Sequence, residues 1–499
     1  MDDFHLLSFE TVDEFKNKIH IDFIDINKNY KGLLTTLMIG ANGTRKSSIL
    51  ALITDVFREL DDLKRRQKKY NFKNVFQLSY RLGEREFFIN NTEERIYFYK
   101  NQKKIEIEQL ELPQRVIAVS FMVNDKFTFR ADNEKFTINS IDQSNDEELY
   151  RYLGVRQASN ITFVNTIVRK IVNLVIYNST DSNFLKKLQI IISFLNIDNN
   201  IEICFEPKRK KNLFTRGITN KDIEVLTNKI SSEVSYRSDR IKNFTKDDIL
   251  NISNFINTIS HNRSKVETKN GVSLCYKLNL DNPEENLTLI KDYTTLQKLL
   301  SLNYLHYPTL RFRRGNTIFD FEATSSGEKH FLFTMLSIAA EIKKSSLIIM
   351  DEPELSLHPN WQIQYISCLK NIFEDYSSCH VIIATHSHFM LSDLQAQSSS
   401  IVSLTRKEDF KVQANLHDEN TFGWSVEDIL YNIFGVVTTR NLFVAKELDS
   451  VLENMSKGQE LTEKEIEKII YIKSNMKEND PLAGVIEMII SRYKNDSNI

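Results

Sequence analysis

Leu33-Leu-Thr-Thr-Leu-Met-Ile-Gly40-Ala-Asn42-Gly43-Thr44-Arg45-Lys46-Ser47-Ser48 begins as an apolar, β-branched run and stops at a glycine. Such a run predicts a buried strand feeding a loop. From Lys46 to Leu60 apolar residues recur at helical spacing, at Ile49, Leu50, Ile53, Val56, Phe57 and Leu60, so strand, loop and helix follow in order. A loop of the form Gly-x-x-x-x-Gly-Lys-Ser/Thr in that setting lets backbone N–H groups close around phosphates, while the lysine reaches the outer two and the hydroxyl binds Mg²⁺. Gly40, Lys46 and Ser47 meet the form. Arg45 stands where it asks for a second glycine.

Three further stretches extend the argument. Leu347-Ile-Ile-Met-Asp351-Glu352 is another apolar run, closed by an acidic pair and Pro353. An isolated acidic pair usually marks a solvated strand end. At the end of a buried strand, an aspartate can instead hold the Mg²⁺ shell and its neighbour can orient or deprotonate an attacking water. Ser325-Ser-Gly327-Glu328 precedes a helical stretch, Lys329 to Lys343. Ser-Gly-Glu is cap chemistry, and the N–H groups and dipole of that helix end also offer an anion site. Val381 to Ala384 is a third apolar strand, and His386 just beyond it is read as positioning a γ-phosphate. The expected cofactors are ATP and Mg²⁺. Glu352, Lys46, Asp351, His386 and Ser325 form the expected catalytic set. Asn42, Gly43, Thr44, Arg45, Lys46, Ser47, Ser48, Ser325, Gly327 and Glu328 are the expected nucleotide contacts, with Ser47 and Asp351 on the metal.

At 499 residues, 41% hydrophobic and 26% charged, the chain is too long for one core and should divide into lobes. The longest nearly apolar run, Phe331 to Ala340, is far short of a membrane span, and the acidic start lacks the features of a signal peptide, so a cytoplasmic protein without a membrane partner is expected. Cys204, Cys275, Cys368 and Cys379 have no metal-like spacing and are expected as ordinary thiols. A net charge of −2 gives no global attraction to nucleic acid. Local basic clusters at Lys64 to Lys69, Lys208 to Lys211, and Arg311, Arg313 and Arg314 read as solvated faces, with a phosphate backbone as the alternative partner.

The strand–loop–helix and the three later stretches predict an α/β P-loop head, a mixed sheet with helices joined to an antiparallel β subdomain. Residues 1–129 should carry the P-loop and a β meander between Phe76 and Gln109. Residues 130–305 should be a helical insertion, with helices at Glu147 to Leu153, Ile161 to Ile176, Phe184 to Leu195, Asp222 to Val234, Asp247 to Ile259 and Tyr293 to Leu302. Residues 306–410 should complete the head, and 411–499 should form a charged helical lobe with its clearest amphipathic segment at Leu461 to Ile472.

On these residues the chain resembles the ABC-class ATPases that include Rad50, structural-maintenance-of-chromosomes heads, RecF and the OLD proteins. The phrase Asp351-Glu-Pro-Glu-Leu-Ser-Leu-His-Pro-Asn-Trp361 looks most like the OLD branch. Val116 to Ser120 with Asp125-Lys-Phe127, and Trp424 to Leu430 followed by Phe434-Gly435, are similar to PtuA, the ATPase subunit of Septu and retron-associated antiphage systems. The resemblance implies a homodimer with ATP sandwiched between subunits. It places Ser325 against the other subunit's γ-phosphate and Ser356-Leu357-His358 in the loop that touches the partner. It further implies an HNH-type nuclease subunit as partner, or a retron reverse transcriptase with its RNA–DNA product. The tail after His386 lacks the Asp-x-Asp of the OLD nuclease, so no nuclease site is expected in this chain, and the loop near Ser120 lacks the glutamine many ABC enzymes carry there. Arg45 implies slow turnover. A RecF-like ATPase that binds DNA directly and a non-hydrolysing ATP-bound scaffold are the alternatives.

Overall fold

The computed structural model describes residues 2–496 apart from 14, 67–71, 73, 93–94, 121, 123–124, 129–147, 155–162, 209–210, 217, 220, 226–244, 263–264, 269–270, 408–410, 418–420, 422, 435–441, 457–460, 475 and 477–481. Strands β1 (Phe4–Val12) and β2 (Lys18–Asp22) lead to β3 (Leu34–Gly40), which enters helix α1 (Lys46–Arg66). The meander follows as β4 (Phe76–Leu82), β5 (Arg85–Asn91), β6 (Ile96–Lys100) and β7 (Lys103–Ile105), and then come β8 (Val116–Ser120) and β9 (Tyr150–Tyr152). Beyond α2 (Phe163–Tyr177) and α3 (Ser182–Phe194) lie β10 (Ile201–Phe205), β11 (Lys265–Thr268), β12 (Gly271–Leu278), β13 (Thr309–Arg314) and β14 (Thr317–Asp320). The last strands are β15 (Leu347–Asp351), β16 (His380–Ala384), β17 (Ser399–Arg406) and β18 (Val412–His417).

These strands build three sheets. The central one has the order β18-β17-β3-β16-β15-β8-β9 and is parallel except for β18. Its inner strands are buried on both faces, which is why they read as continuous apolar runs. Leu34, Leu37, Met38 and Ile39 are fully enclosed, each contributing about 1.5–3 kcal/mol of burial. The meander closes an antiparallel sheet of order β2-β1-β4-β5-β6-β7, and its apolar side shares one core with α1 and the central sheet.

The structure corrects several expectations. Glu147 to Leu153 is not helical where it is described: Tyr150–Tyr152 is a strand that pairs parallel with β8. The aromatic residues of Tyr-Arg-Tyr suit a pleated surface, and the edge of β8 supplies the hydrogen-bond partners. Residues 130–305 contain α2, α3 and the helices Lys246–Asn262 and Leu287–Ser301, yet they also supply three strands to an antiparallel sheet of order β11-β12-β10-β13-β14. Asp222 to Val225 is helical, and the remainder of the expected helix up to Val234 lies outside the described residues. Cys204 and Cys275 are not free thiols. They face each other across β10 and β12 with Cα atoms 4.1 Å apart and are joined in a disulfide, whereas Cys368 and Cys379 are free and buried. Val412–His417 belongs to the central sheet, so the compact C-terminal unit starts at Trp424 rather than at 411. That unit buries Leu448, Val451, Ile466, Ile469, Ile472, Ile486 and Ile489 between the helices Leu442–Ser456, Glu463–Ser474 and Leu482–Asp496. Among the described residues no helix is long and apolar enough to cross a membrane.

Candidate nucleotide site

The loop after β3 is shaped by what stands beside it. β17 runs parallel to β3 with Leu404 opposite Gly40, so a Cβ on Gly40 would lie 2.4 Å from the Leu404 carbonyl oxygen. Only glycine fits. Gly43 has φ +83°, and Arg45, at the motif's second glycine, has φ +69°. The backbone there takes the left-handed form that the motif's glycine would take, although arginine carries a Cβ. Thr44 closes the loop by donating from Oγ1 to the Ala41 carbonyl at 2.8 Å. Asn42, Gly43 and Ser48 are exposed around the loop.

Lys46 folds back over this loop and is 5% exposed, with Nζ 2.7 Å from the Gly40 carbonyl oxygen and 2.9 Å from Nε2 of His386. Burial draws its amine below the usual lysine range, against the opposing charges of Glu352, Asp351 and Glu354. Ser47, one residue on, donates from Oγ to Oδ1 of Asp351 at 2.9 Å. Two distant segments thus meet because β3, β15 and β16 are neighbours whose C-terminal ends lie along one edge of the sheet.

The acidic side of the site has three carboxylates. Asp351 is 2% exposed, and burial pushes its carboxyl up to about 6, with the Ser47 bond working against the rise and the charges of Glu352 and Glu354 adding to it. Its Oδ2 is buried without a hydrogen-bond partner. Such an oxygen beside a serine hydroxyl suits a hard divalent cation. Glu352 adopts φ +49°, donates its N–H to the Ala384 carbonyl at 2.9 Å, and brings Oε1 to 3.6 Å from Nε2 of His386. Burial and the Lys46 charge lower the imidazole's pKa, with Glu352 opposing, which favours the uncharged ring at neutral pH. Glu354 was not among the expected site residues. It is buried, its Oε1 accepts the backbone N–H of His386 at 2.7 Å, and burial raises its pKa. Its place two residues past Glu352, behind the Pro353 turn, was the available signal.

Ser325, Gly327 and Glu328 form a second group. Ser325 caps the helix Ser326–Glu341: its Oγ accepts from the Glu328 N–H at 3.2 Å, while Glu328 Oε2 accepts from the Ser325 N–H at 2.8 Å. Glu328 also pairs with Arg314 at 2.7 Å. A Cβ on Gly327 would sit 2.6 Å from the Ser356 carbonyl oxygen, so glycine lets the helix end rest on the segment that follows Glu354. His330 ties the same segment through Nδ1 to the Leu355 carbonyl at 2.7 Å. The helix is held in turn by α2 and α3. Phe194 of α3 stacks on Phe331 at 4.7 Å and packs on Trp361 of the helix Pro359–Ile372 at 5.9 Å.

The other motif-like stretches hold the scaffold. Asp125 accepts the Phe127 N–H at 3.0 Å and the Tyr152 hydroxyl, fixing the loop after β8 to β9. Ser425 caps the helix Val426–Asn432, accepting from the Asp428 N–H at 3.1 Å, and Gly435 lies outside the described residues. Lys68, Lys69, Arg209 and Lys210 of the basic clusters, and Phe121 of the loop beyond Ser120, also lie outside them.

A mainly parallel sheet with a phosphate loop after β3 and an acidic pair at the end of β15, at the same end of the strands and with β16 between them, flanked by an antiparallel sheet, defines an ABC-type P-loop ATPase head. The chain belongs to the family described as AAA domain, putative AbiEii toxin, Type IV TA system, which it matches over residues 36–392. It is similar to the Septu protein PtuA of Bacillus thuringiensis, 24% identical over 189 residues, spanning 35% of this chain and 46% of that one. The match therefore covers less than half of PtuA. It is also similar to the Retron Vc95 probable ATPase of Vibrio cholerae serotype O1 biovar El Tor, 22% identical over 456 residues that cover 84% of this chain and 76% of that one. Among solved structures, the SMC head domain from Thermotoga maritima aligns with a TM-score of 0.34 at 11% identity, covering 83% of this chain and 98% of that one. The Smc head with an extended coiled coil bound to the C-terminal domain of ScpA, from Pyrococcus furiosus, aligns at 0.31 and 11% identity, covering 83% and 96%.

Proposed function

We propose that this chain binds Mg²⁺·ATP at the Lys46–Asp351 edge, hydrolyses it slowly, and serves as the ATPase subunit of an antiphage defence complex in which the nucleotide state controls a nuclease partner. The observation that carries the ATPase reading is the convergence of Lys46, Ser47, Asp351, Glu352 and His386, with Asp351 Oδ2 left unpartnered in the interior. Bound Mg²⁺ would neutralise charge that develops on the phosphates, held by Ser47 and Asp351. Lys46 would turn its amine from the Gly40 carbonyl to the outer phosphates. Glu352 would orient and deprotonate the water, and neutral His386 would donate a hydrogen bond toward the γ-phosphate while Glu354 fixes its backbone. The defence setting is supported by the likeness to PtuA and the retron ATPase.

A second subunit would complete the site. Ser325 and Gly327 begin a helix whose N–H groups suit a γ-phosphate, yet Gly327 rests on Ser356 and Glu328 pairs with Arg314, while Lys46 bonds to Gly40, Ala41 and His386. That arrangement supports a homodimer with each helix end over the other subunit's ATP. The test is light scattering of Glu352→Gln with and without Mg²⁺·ATP, paired with purification from cells that carry the neighbouring genes. ATP-dependent dimers that hold an HNH-type nuclease support the proposal; a monomer at saturating ATP overturns the sandwich, and recovery of DNA in place of a nuclease favours the DNA-maintenance alternative.

A further inference from the structure

The turn between β1 and β2 meets the phosphate loop at Arg45. The Arg45 guanidinium lies over the ring of Phe15, Cζ 5.7 Å from the centroid. Phe15 is held from behind. Asp13 accepts the N–H groups of Phe15 and Asn17 on Oδ1 at 2.9 and 2.7 Å, and it is bonded through its own N–H to the Asn17 carbonyl at 2.9 Å. Against an upward push from burial, the Asn17 and Phe15 bonds and the charge of Arg45 keep the Asp13 carboxyl below its usual range, so an anion lies near the guanidinium. Phe15 is 60% exposed, an unusual setting for a phenylalanine.

The conformation of Arg45 gives this contact a purpose. Its φ of +69° is one that glycine adopts freely and an arginine adopts against the resistance of its Cβ. A loop that must hold that shape to offer its N–H groups to phosphate therefore needs support which a glycine loop does not. We propose that the Asp13–Phe15 turn is a brace for the phosphate loop: by anchoring the Arg45 side chain it holds the backbone in its glycine-like form, and it thereby links the antiparallel sheet to nucleotide affinity. Phe15 is then a positioning residue that acts through Arg45. The inference rests on the ATP reading of the site.

The experiment is a double-mutant cycle of Phe15→Ala and Arg45→Gly in the full chain. It reads ATP affinity by calorimetry and hydrogen exchange of the amides at 41–46 without nucleotide. Phe15→Ala alone should raise the Kd for ATP about two- to fivefold, the range of an exposed cation–π contact, and speed exchange in the loop. Phe15→Tyr, which keeps the ring, should stay near wild type. In the Arg45→Gly background Phe15→Ala should change neither readout. Equal weakening in both backgrounds would show that Phe15 serves the nucleotide directly and would overturn the brace, as would no change in either. Absence of ATP binding by the wild type would reject the ATPase reading instead; the brace would then stand or fall on whether loop exchange responds to Phe15→Ala only when Arg45 is present.

Discussion

Lys46 and His386 lie 340 positions apart in the chain and meet with 2.9 Å between Nζ and Nε2, the lysine donating to a neutral imidazole. The contact spans the two halves of the head, since Lys46 follows β3 and His386 follows β16. Ser47 and Asp351, 304 positions apart, repeat the crossing one strand over. Both contacts spend their donors on protein atoms that a phosphate or a cation would replace.

Lys46→Ala tests the first of them. The amine offers charge-assisted hydrogen bonds of about 1.5–3 kcal/mol each, so its loss should weaken ATP binding by tenfold or more. Ser47, Asp351 and the backbone loop remain in that variant. Calorimetric titration with Mg²⁺·ATP decides the matter: equal affinity in variant and wild type would remove Lys46 from the site.

Glu352→Gln should separate binding from chemistry. The amide keeps the shape of the side chain and the backbone bond from Glu352 to the Ala384 carbonyl, and it loses the base. General-base catalysis is typically worth 10²- to 10⁴-fold, so turnover should fall by about that much while ATP affinity stays within about twofold. Comparable phosphate release by variant and wild type would assign the base elsewhere, with Glu354 as the next carboxylate to examine.

The elements around the candidate site were legible because buried parallel strands leave apolar runs that stop at candidate site residues: Gly40 and Asp351 close such runs and His386 follows one. What the sequence hid has physical causes. Tyr150–Tyr152 is too short for periodicity to register and exists because β8 offers an edge. β10 and β12 do carry alternation, in Ile201-Glu-Ile and Leu274-Cys-Tyr-Lys-Leu278, but they are 71 positions apart at their linked cysteines, and helices between them mask the pairing that makes Cys204 and Cys275 partners. Glu354 looks like an ordinary surface glutamate in sequence, and only the turn at Pro353 carries it inward to His386. Arg45 was visible as a departure, whereas its contact with Phe15 depends on the β1–β2 turn reaching the loop.

Acid should destabilise the head through its buried histidines. His5, His330 and His380 are at most 8% exposed, and burial, first among the causes, lowers all three, His5 and His330 to about 4. An imidazole with a folded pKa below the unfolded 6.5 binds its proton more readily when unfolded, so the stability it supports is present above about pH 6.5 and lost as pH falls toward 4. Each such group contributes a slope of up to about 1.4 kcal/mol per pH unit in that window. Asp351, raised to about 6, has the opposite sign: as pH falls below 6 the folded state takes up its proton first and gains. The histidine effect is therefore read by difference. His330→Asn keeps a donor for the Leu355 carbonyl, and its denaturation midpoints at pH 7, 6 and 5 should fall less steeply than those of the wild type. Parallel slopes would mean that His330 does not take up a proton on unfolding.

Gly327→Ala should reverse an ordinary rule. Inside a helix, alanine for glycine usually stabilises by about 0.5–1 kcal/mol because it restricts the unfolded chain. Gly484, in the helix Leu482–Asp496, has nothing within 4 Å of where a Cβ would stand, and Gly484→Ala should stabilise its unit by that amount. At Gly327 the new methyl would meet Ser356 O at 2.6 Å, Ser356 C at 3.5 Å and Leu357 Cα at 3.8 Å, all main-chain atoms that no rotamer change can move. Ser356 is itself at φ +66°, and Leu355 is tied to His330, so the segment has little freedom to retreat. The cost should be about 1–3 kcal/mol, as for overpacking, and the variant's midpoint should lie below that of the wild type. Displacing Ser356 also strains Glu354, two residues earlier, which holds the N–H of His386, so ATP turnover should fall together with stability. Urea unfolding and phosphate release measured on Gly327→Ala and Gly484→Ala give the comparison. A gain in stability at both positions would show that the helix end does not bear on the 355–357 segment in solution, and the proposed link between Ser325–Glu328 and His386 would fall with it.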